Sequence, residues 1–167
     1  MKKLKIKSFC KINLYLRVIK KLKNGYHNIK SLVTFCDLHD VILISKIKGK
    51  EDKISFSGNF KKGINKKFNT ITKTLYLLRK ENILLDQSYK IKVKKNIPHG
   101  SGLGGGSSNA ADLLNYFALK IKLKNKSKKI FKIASKVGFD VPISLDKKYT
   151  YLTGKKNKII KIKKFFK

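Results

Sequence analysis

The sequence has few of the residues that mark several classes of protein. It contains no tryptophan and only two cysteines, Cys10 and Cys36, whose spacing does not fit a metal site. A chain of 167 residues can bury a core without a disulfide, so reduced thiols are expected. No apolar run approaches the ~20 residues that a membrane-spanning helix needs. The N-terminus does not have the pattern of a cleaved signal, so we expect a cytoplasmic protein with no membrane association.

Arginine and acidic residues are also scarce, although the formal net charge is +33. Arg17 and Arg79 are the only arginines, and the other 40 of the 42 basic residues are lysines spread along the whole chain. Arginine is the usual residue for bidentate contacts with phosphates and bases. Lysine, isoleucine and asparagine share A/T-rich codons, so a base bias explains this composition. We expect no specific nucleic-acid partner, and a lysine-rich nucleic-acid-binding protein is the alternative.

Glycine is concentrated in one segment, residues 96–111, with the sequence NIPHGSGLGGGSSNAA. Five of the seven residues from Gly100 to Gly106 are glycine, against a usual content of about 7%. Residues 89–97 alternate apolar and polar, which predicts a strand, and residues 107–120 have helical apolar spacing. A glycine loop between a strand and a helix is typical of a phosphate site, because its amides can approach an anion closely. A flexible linker would have polar flanks instead.

The remaining pattern predicts a single α+β domain. Asn69 is expected to cap a helix over residues 69–81, and Gly138 is expected to end a second helix over residues 127–137. Asn24 and Gly25 predict a turn. Alternation predicts strands at 4–19, with a kink, at 31–35, at 40–47 and in two pieces of 147–167, with loops or hairpins at 50–67.

Three short segments contain residues that could carry chemistry. Lys11 lies within an alternating strand, Tyr26 and His27 follow a turn, and Asp140 lies on a short loop before Pro142. Each has an ordinary structural explanation by itself, since an aspartate on a turn most often serves as a cap or Asx-turn residue.

Together and in this order, the segments FCKINLYLRV, GYHNIKSLVTFCDLHDVI, NTITKTLYLL, IPHGSGLGGGSSNAA and GFDVPISL closely resemble the GHMP kinase superfamily. The first two segments are similar to the members that phosphorylate the 2-hydroxyl of a CDP-linked methylerythritol in the non-mevalonate isoprenoid pathway. The resemblance covers essentially the whole chain. It implies a mixed sheet packed against helices (the ribosomal protein S5 domain 2-like fold), with ATP and Mg²⁺. The loop lacks the Gly-Lys-Ser/Thr ending of a P-loop.

The resemblance also implies a role for individual residues. Lys11 and Asp140 would form the catalytic pair, and Asn13, Tyr26, His27 and Asp140 would contact the CDP-linked sugar-alcohol substrate. Ser107 or Ser108 would help to hold Mg²⁺. The residues implied to bind ATP are Asn69, Lys94, Lys95, Pro98, Gly100, Ser101, Gly102, Leu103, Gly104, Gly105, Gly106, Ser107 and Ser108.

Members of this family continue into a second domain. We therefore expect residues 1–167 to form the N-terminal ATP-binding domain, with the C-terminal domain absent from this chain and a candidate partner for it. Two enzyme-related alternatives stay open. One is a GHMP kinase for another alcohol, such as homoserine or mevalonate, and the other is an inactive nucleotide-binding remnant.

Overall fold

A computed structural model of the protein describes residues 3–21, 27–120, 126–153 and 158–162. Within these ranges the chain forms a mixed sheet of six strands and three helices, which confirms the α+β prediction. A short 3₁₀ turn, Ile143–Leu145, follows the third helix. The elements are β1 Leu4–Lys21, β2 His27–Ile47, β3 Lys53–Ser57, α1 Thr70–Lys80, β4 Ser88–Lys94, α2 Gly105–Lys120, α3 Lys126–Val137, β5 Thr150–Thr153 and β6 Lys158–Lys161. None of the described helices is long and apolar enough to span a membrane.

Strand β2 organises the sheet. One of its edges pairs with β1 in antiparallel fashion along most of its length. The other edge pairs first with β5 and then, from Val41 onward, with β4. The outer strands β3 and β6 pair with β4 and β5, parallel and antiparallel respectively. Between its pairings with β5 and β4, β2 contacts the entry to the glycine loop, where the Asn96 side chain donates to the carbonyl of His39 at 2.9 Å.

Two predictions for the strands were wrong. The expected strands at 31–35 and 40–47 are parts of one continuous strand, which runs on between them because Cys36 and His39 pair with Cys10 and Phe9 of β1. The expected loops or hairpins at 50–67 include β3, which pairs in parallel with the sequence-distant β4 and therefore forms no hairpin. The expected kink in β1 corresponds to register shifts, the first between Phe9 and Cys10. The predicted turn at 24–25 and the tail 163–167 lie outside the described residues.

The hydrophobic core lies between the helices and one face of the sheet. In β4 the alternating pattern is confirmed, since Ile91 and Val93 are buried in this core while the lysines between them face outward. Helix α2 supplies the fully buried Leu113 and Phe117, which join the same core. Burying such side chains contributes roughly 1.5–3 kcal/mol each. Phe117, near the end of α2, packs edge-on against Tyr89 at the start of β4, with the ring centroids 4.9 Å apart.

The helix predictions are confirmed to within two residues at each boundary, which is the usual uncertainty at helix ends. Asn69 caps α1, because its side chain accepts hydrogen bonds from the amides of Ile71 (2.9 Å) and Thr72 (3.0 Å). Helix α2 begins at Gly105, two residues before the expected start. Its early start draws the last glycines of the loop into the first turn.

Candidate active site

The glycine loop packs directly on Lys11. Gly100, Gly102 and Gly104 have φ angles of 74°, 77° and 66°, a region that favours glycine. The carbonyl of Leu103 accepts a 2.8 Å hydrogen bond from the amide of Lys11. A Cβ atom at Gly104 would lie 3.2 Å from Lys11 Cβ and Cε. Glycine at this position therefore lets the loop backbone reach the strand that carries the lysine.

The last two glycines of the loop, Gly105 and Gly106, form the start of α2. The carbonyl of Gly104 accepts the amide of Ser108 at 2.8 Å, which leaves the amides of the first turn without partners inside the helix. The hydroxyl of Thr70, at the start of α1, donates to the carbonyl of Gly106 at 2.9 Å and joins the two helix starts. Free amides and the helix dipole together favour an anion at this position.

Asp40 lies beneath the entry to the loop and is fully buried. One carboxylate oxygen accepts hydrogen bonds from the amides of Asn96 (2.7 Å) and Ile97 (2.9 Å). The other oxygen pairs with the ammonium of Lys95 and accepts the side-chain amide of Asn109 at 3.1 Å. A buried charge is tolerated when it is paired and hydrogen-bonded in this way. Asp40 therefore ties the end of β4, the loop entry and α2 to β2.

Lys11 and Asp140 meet on the other side of the loop. The Nζ of Lys11 lies 3.3 Å from Oδ2 of Asp140, and the aspartate side chain is 38% exposed while the lysine side chain is buried. Lys11 also donates to Oδ1 of Asn13 at 2.7 Å, and Asn13 donates to the hydroxyl of Ser31 at 2.9 Å. Fixed hydrogen bonds thus hold the ammonium beside a carboxylate that is open to solvent.

Two clefts meet at Asp140. The first, which we call the loop cleft, has a volume of about 460 Å³, and the second, the β1 cleft, about 680 Å³. Both volumes are typical of small-molecule sites. Asp140, Ser101 and Gly102 line both clefts. The loop cleft is also lined by Phe68, Asn69, Thr70, Lys95, Pro98, Gly104, Gly105, Gly106 and Ser107, and the β1 cleft by Lys11, Asn13, Leu16, Val18, His27, Leu103 and Phe139.

Comparison with known families and proteins decides which class of site this is. Residues 69–148, which include the glycine loop and Asp140, match the family described as the GHMP kinases N terminal domain. The chain contains a GHMP kinase N-terminal domain. The predicted family and fold class are thereby confirmed.

Two curated relatives of this GHMP kinase domain carry the same name. The chain is 46% identical over 145 residues to 4-diphosphocytidyl-2-C-methyl-D-erythritol kinase of Pelagibacter ubique, a match that covers 87% of this chain and 51% of that protein. It is 39% identical over 144 residues to the protein of the same name from Petrotoga mobilis, covering 84% and 52%. The chain thus spans about half the length of the curated relatives it matches.

A solved structure extends the likeness of fold to almost all of the GHMP kinase domain. A crystal structure of 4-(cytidine 5'-diphospho)-2C-methyl-D-erythritol kinase superposes with a TM-score of 0.74, covering 95% of this chain and 55% of that chain. Its sequence is 23% identical, so this likeness concerns the fold alone.

Most residues expected at the ATP site of the GHMP kinase domain do line the loop cleft, but four are occupied or directed elsewhere. Leu103 lines the β1 cleft and not the loop cleft. Lys94 is exposed on β4 and lines neither cleft. The Asn69 side chain is engaged in capping α1, although the residue borders the loop cleft. Ser108 is buried, and its hydroxyl lies 3.5 Å from the hydroxyl of Ser144. Lys95 lines the cleft while paired with Asp40.

The residues expected to contact the acceptor substrate are brought together in the β1 cleft. Asn13, His27 and Asp140 all line it, and Tyr26 lies outside the described residues. Leu16 and Val18, which the sequence analysis did not assign to the site, form an exposed apolar wall there. The available signal was that Leu14, Leu16 and Val18 occupy every second position of the KINLYLRV segment and alternate with Tyr15 and Arg17.

The site lacks a cage that could hold a metal by protein ligands alone. Within the ranges the structure describes, no group of three or more histidine, cysteine, aspartate or glutamate side chains could hold a metal ion. Ser107 and Asp140 do line the loop cleft and offer oxygen ligands. Magnesium is usually held by one or two carboxylates together with substrate phosphates. The residues therefore fit a Mg²⁺ ion that accompanies a phosphate ligand.

Proposed function

We propose that this chain is the N-terminal, ATP-binding part of a 4-diphosphocytidyl-2-C-methyl-D-erythritol kinase. The γ-phosphoryl group of ATP would pass to the 2-hydroxyl of the alcohol, a step of the non-mevalonate isoprenoid pathway. The observation that carries the proposal is the meeting of two clefts at Asp140. Phosphoryl transfer depends mainly on positioning and charge stabilisation, and a shared border lets donor and acceptor approach each other in line.

The loop cleft is the proposed donor site. The loop backbone and the first turn of α2 would bind the β- and γ-phosphates, with the hydroxyl of Ser107 as a ligand for Mg²⁺. Mg²⁺ would neutralise phosphate charge when bound. Phe68, an exposed aromatic side chain that lines this cleft, would contact the adenine ring. Sequence reasoning missed Phe68 because an aromatic residue within a polar loop carries no pattern of its own.

The β1 cleft is the proposed acceptor site. Asp140 would accept the proton of the attacking hydroxyl, a general-base role that is typically worth 10²–10⁴-fold in rate. The ammonium of Lys11, 3.3 Å from Oδ2 of Asp140, would orient this carboxylate. His27, with Tyr26, would contact the cytidine end of the substrate. The apolar wall of Leu16 and Val18 is open in this chain, and a C-terminal domain is the proposed partner that completes it in the cytoplasmic enzyme.

Ligand-dependent thermal unfolding tests the proposal without requiring turnover. A ligand that binds the folded protein at 100 times its Kd stabilises it by about 2.7 kcal/mol. We expect ATP with Mg²⁺, and separately 4-diphosphocytidyl-2-C-methyl-D-erythritol, to raise the unfolding temperature, while homoserine and mevalonate do not.

The control for this experiment is Asp146→Asn, which removes a carboxylate whose pairing with Lys161 involves neither cleft. It should respond like the wild-type chain. Stabilisation by homoserine or mevalonate in place of the CDP-linked alcohol would identify a different GHMP kinase. No stabilisation by ATP would refute the donor site.

A further inference from the structure

Two thiols that are distant in the sequence face each other across β1 and β2. Cys10 and Cys36 are register partners in this antiparallel pair, and their Sγ atoms lie 2.8 Å apart. Both are free cysteines in the structure. Cys10 is 1% exposed, whereas Cys36 is only partly buried and so can be reached from solvent. No local pattern indicates this contact, because 26 positions separate the two residues.

We propose that Cys10 and Cys36 are a modification site, at which oxidation forms a reversible intramolecular disulfide. Residues directly opposite each other in an antiparallel pair have Cα atoms about 4.5–5.5 Å apart. This range lies within the roughly 4.4–6.8 Å that a disulfide requires. The register shift between Phe9 and Cys10 lies beside the pair, where the strand pairing is already irregular and can adjust.

The oxidant in this proposal is a low-molecular-weight disulfide. The Cys36 thiolate attacks one of its sulfur atoms, forming a mixed disulfide and releasing one thiolate. Cys10 then attacks the Cys36 sulfur, loses its proton, and displaces the second small thiol. The two protein thiols are oxidised to one disulfide while the small disulfide is reduced to two thiols, so atoms and electrons balance.

The environment of the two thiols sets this order of attack. Burial, together with the hydrogen bond and charge of Cys36, raises the pKa of Cys10 to about 12. Because the thiolate is the nucleophile, Cys10 is unsuited to attack an external oxidant first. A mixed disulfide at Cys36 removes the thiol whose charge helps to raise the Cys10 pKa, which favours the second step. The new bond would join β1 to β2 one residue before Lys11.

Equilibration of the 167-residue chain in mixtures of oxidised and reduced glutathione tests the proposal, with intact mass and free-thiol titration as readouts. We expect both free thiols to disappear with a mass loss of two hydrogens, and dithiothreitol to restore both. Peptide mapping should link Cys10 to Cys36. The experiment is independent of kinase activity, so its result and that of the proposed function can be told apart.

Two serine variants separate the roles of the thiols. Cys10→Ser should stop at a glutathione mixed disulfide on Cys36, because the resolving thiol is missing. Cys36→Ser should keep its buried Cys10 thiol free at the same glutathione ratios. Two free thiols in the wild-type chain at every ratio would overturn the proposal. So would a stable mixed disulfide on Cys36 of the wild-type chain, or a disulfide that links two chains.

Discussion

Replacing Asp40 with asparagine is expected to lower the free energy of unfolding by about 3–5 kcal/mol, the usual cost of breaking a buried ion pair. Asparagine has nearly the same shape, so its oxygen can still accept the amides of Asn96 and Ile97. Its NH₂ group, however, takes the place of the oxygen that faces Lys95 and the side-chain amide of Asn109. Three donors then meet without an acceptor, and the ammonium is left buried without its counter-ion.

The size of this loss follows from burial. The Asp40 side chain is 0% exposed and that of Lys95 is 5% exposed, so water cannot replace the lost partner. Whole domains have unfolding free energies of only about 5–15 kcal/mol, so this single change removes a large part of the total. The matched control is Asp146→Asn. Asp146 pairs with Lys161 but is 42% exposed, and such surface pairs contribute at most about 1 kcal/mol.

Urea unfolding followed by circular dichroism measures both variants on the same scale. A third variant, Asp40→Asn with Lys95→Met, removes the unpaired ammonium and should recover part of the loss, since an apolar side chain can replace a buried charge. A loss for Asp40→Asn within 1 kcal/mol of the loss for Asp146→Asn would refute this reasoning. A double variant no more stable than Asp40→Asn would show that the unpaired ammonium is not the source.

The other predictions concern the loop, the helix cap and pH. Gly104→Ala should weaken ATP binding at least ~10-fold by calorimetry, because its Cβ would meet Lys11. Gly100 has a similar φ, but a Cβ there would have nothing within 4 Å, so Gly100→Ala should lose less ATP affinity. Equal losses of affinity in the two variants would argue against the contact between residue 104 and Lys11. Asn69→Ala should cost about 1 kcal/mol of stability in urea, and an unchanged midpoint would contradict its capping role. Burial raises the pKa of Asp112 above its ordinary value, and the Lys147 ion pair opposes this. The contribution of Asp112 to the free energy of unfolding is therefore fully present below pH 3.8 and is lost as the pH rises above this value. In urea unfolding, the stability of Asp112→Asn relative to the wild-type chain should increase between pH 3.8 and neutral pH. A relative stability that decreases over this range would contradict the prediction.

Local patterns in the sequence were sufficient to predict those strands and helices whose apolar residues follow a single strand or helix periodicity. The alternation of Tyr89, Ile91 and Val93 predicted β4, and the spacing of Leu113, Leu114 and Phe117 predicted α2. Strand β3 was missed because it pairs with a parallel strand, β4, whose partner residues follow 37 positions later, as Lys90 follows Lys53. Such long-range pairing leaves no local signal.

Site residues could be predicted where they lie in a recognisable sequence motif. They could not be predicted where their role depends on a contact with a residue distant in the sequence. Lys11 and Asp140 lie in two of the segments that resemble the GHMP kinases, and the fold places them in contact. Asp40 also lies in one of those segments, yet nothing local indicates that it is buried or bonded to Asn109. The Cys10–Cys36 contact likewise depends on the register of two strands.

Transfer of label from γ-labelled ATP to 4-diphosphocytidyl-2-C-methyl-D-erythritol, measured for the wild-type protein and for Asp140→Asn, tests most directly whether donor and acceptor meet at Asp140. We expect labelled product from the wild-type protein and a rate about 10²–10⁴-fold lower for Asp140→Asn, because the proton acceptor is lost. ATP affinity should stay nearly unchanged, since the loop amides remain in place. Transfer by Asp140→Asn at the wild-type rate, or no transfer to this alcohol by the wild-type protein, would contradict this assignment.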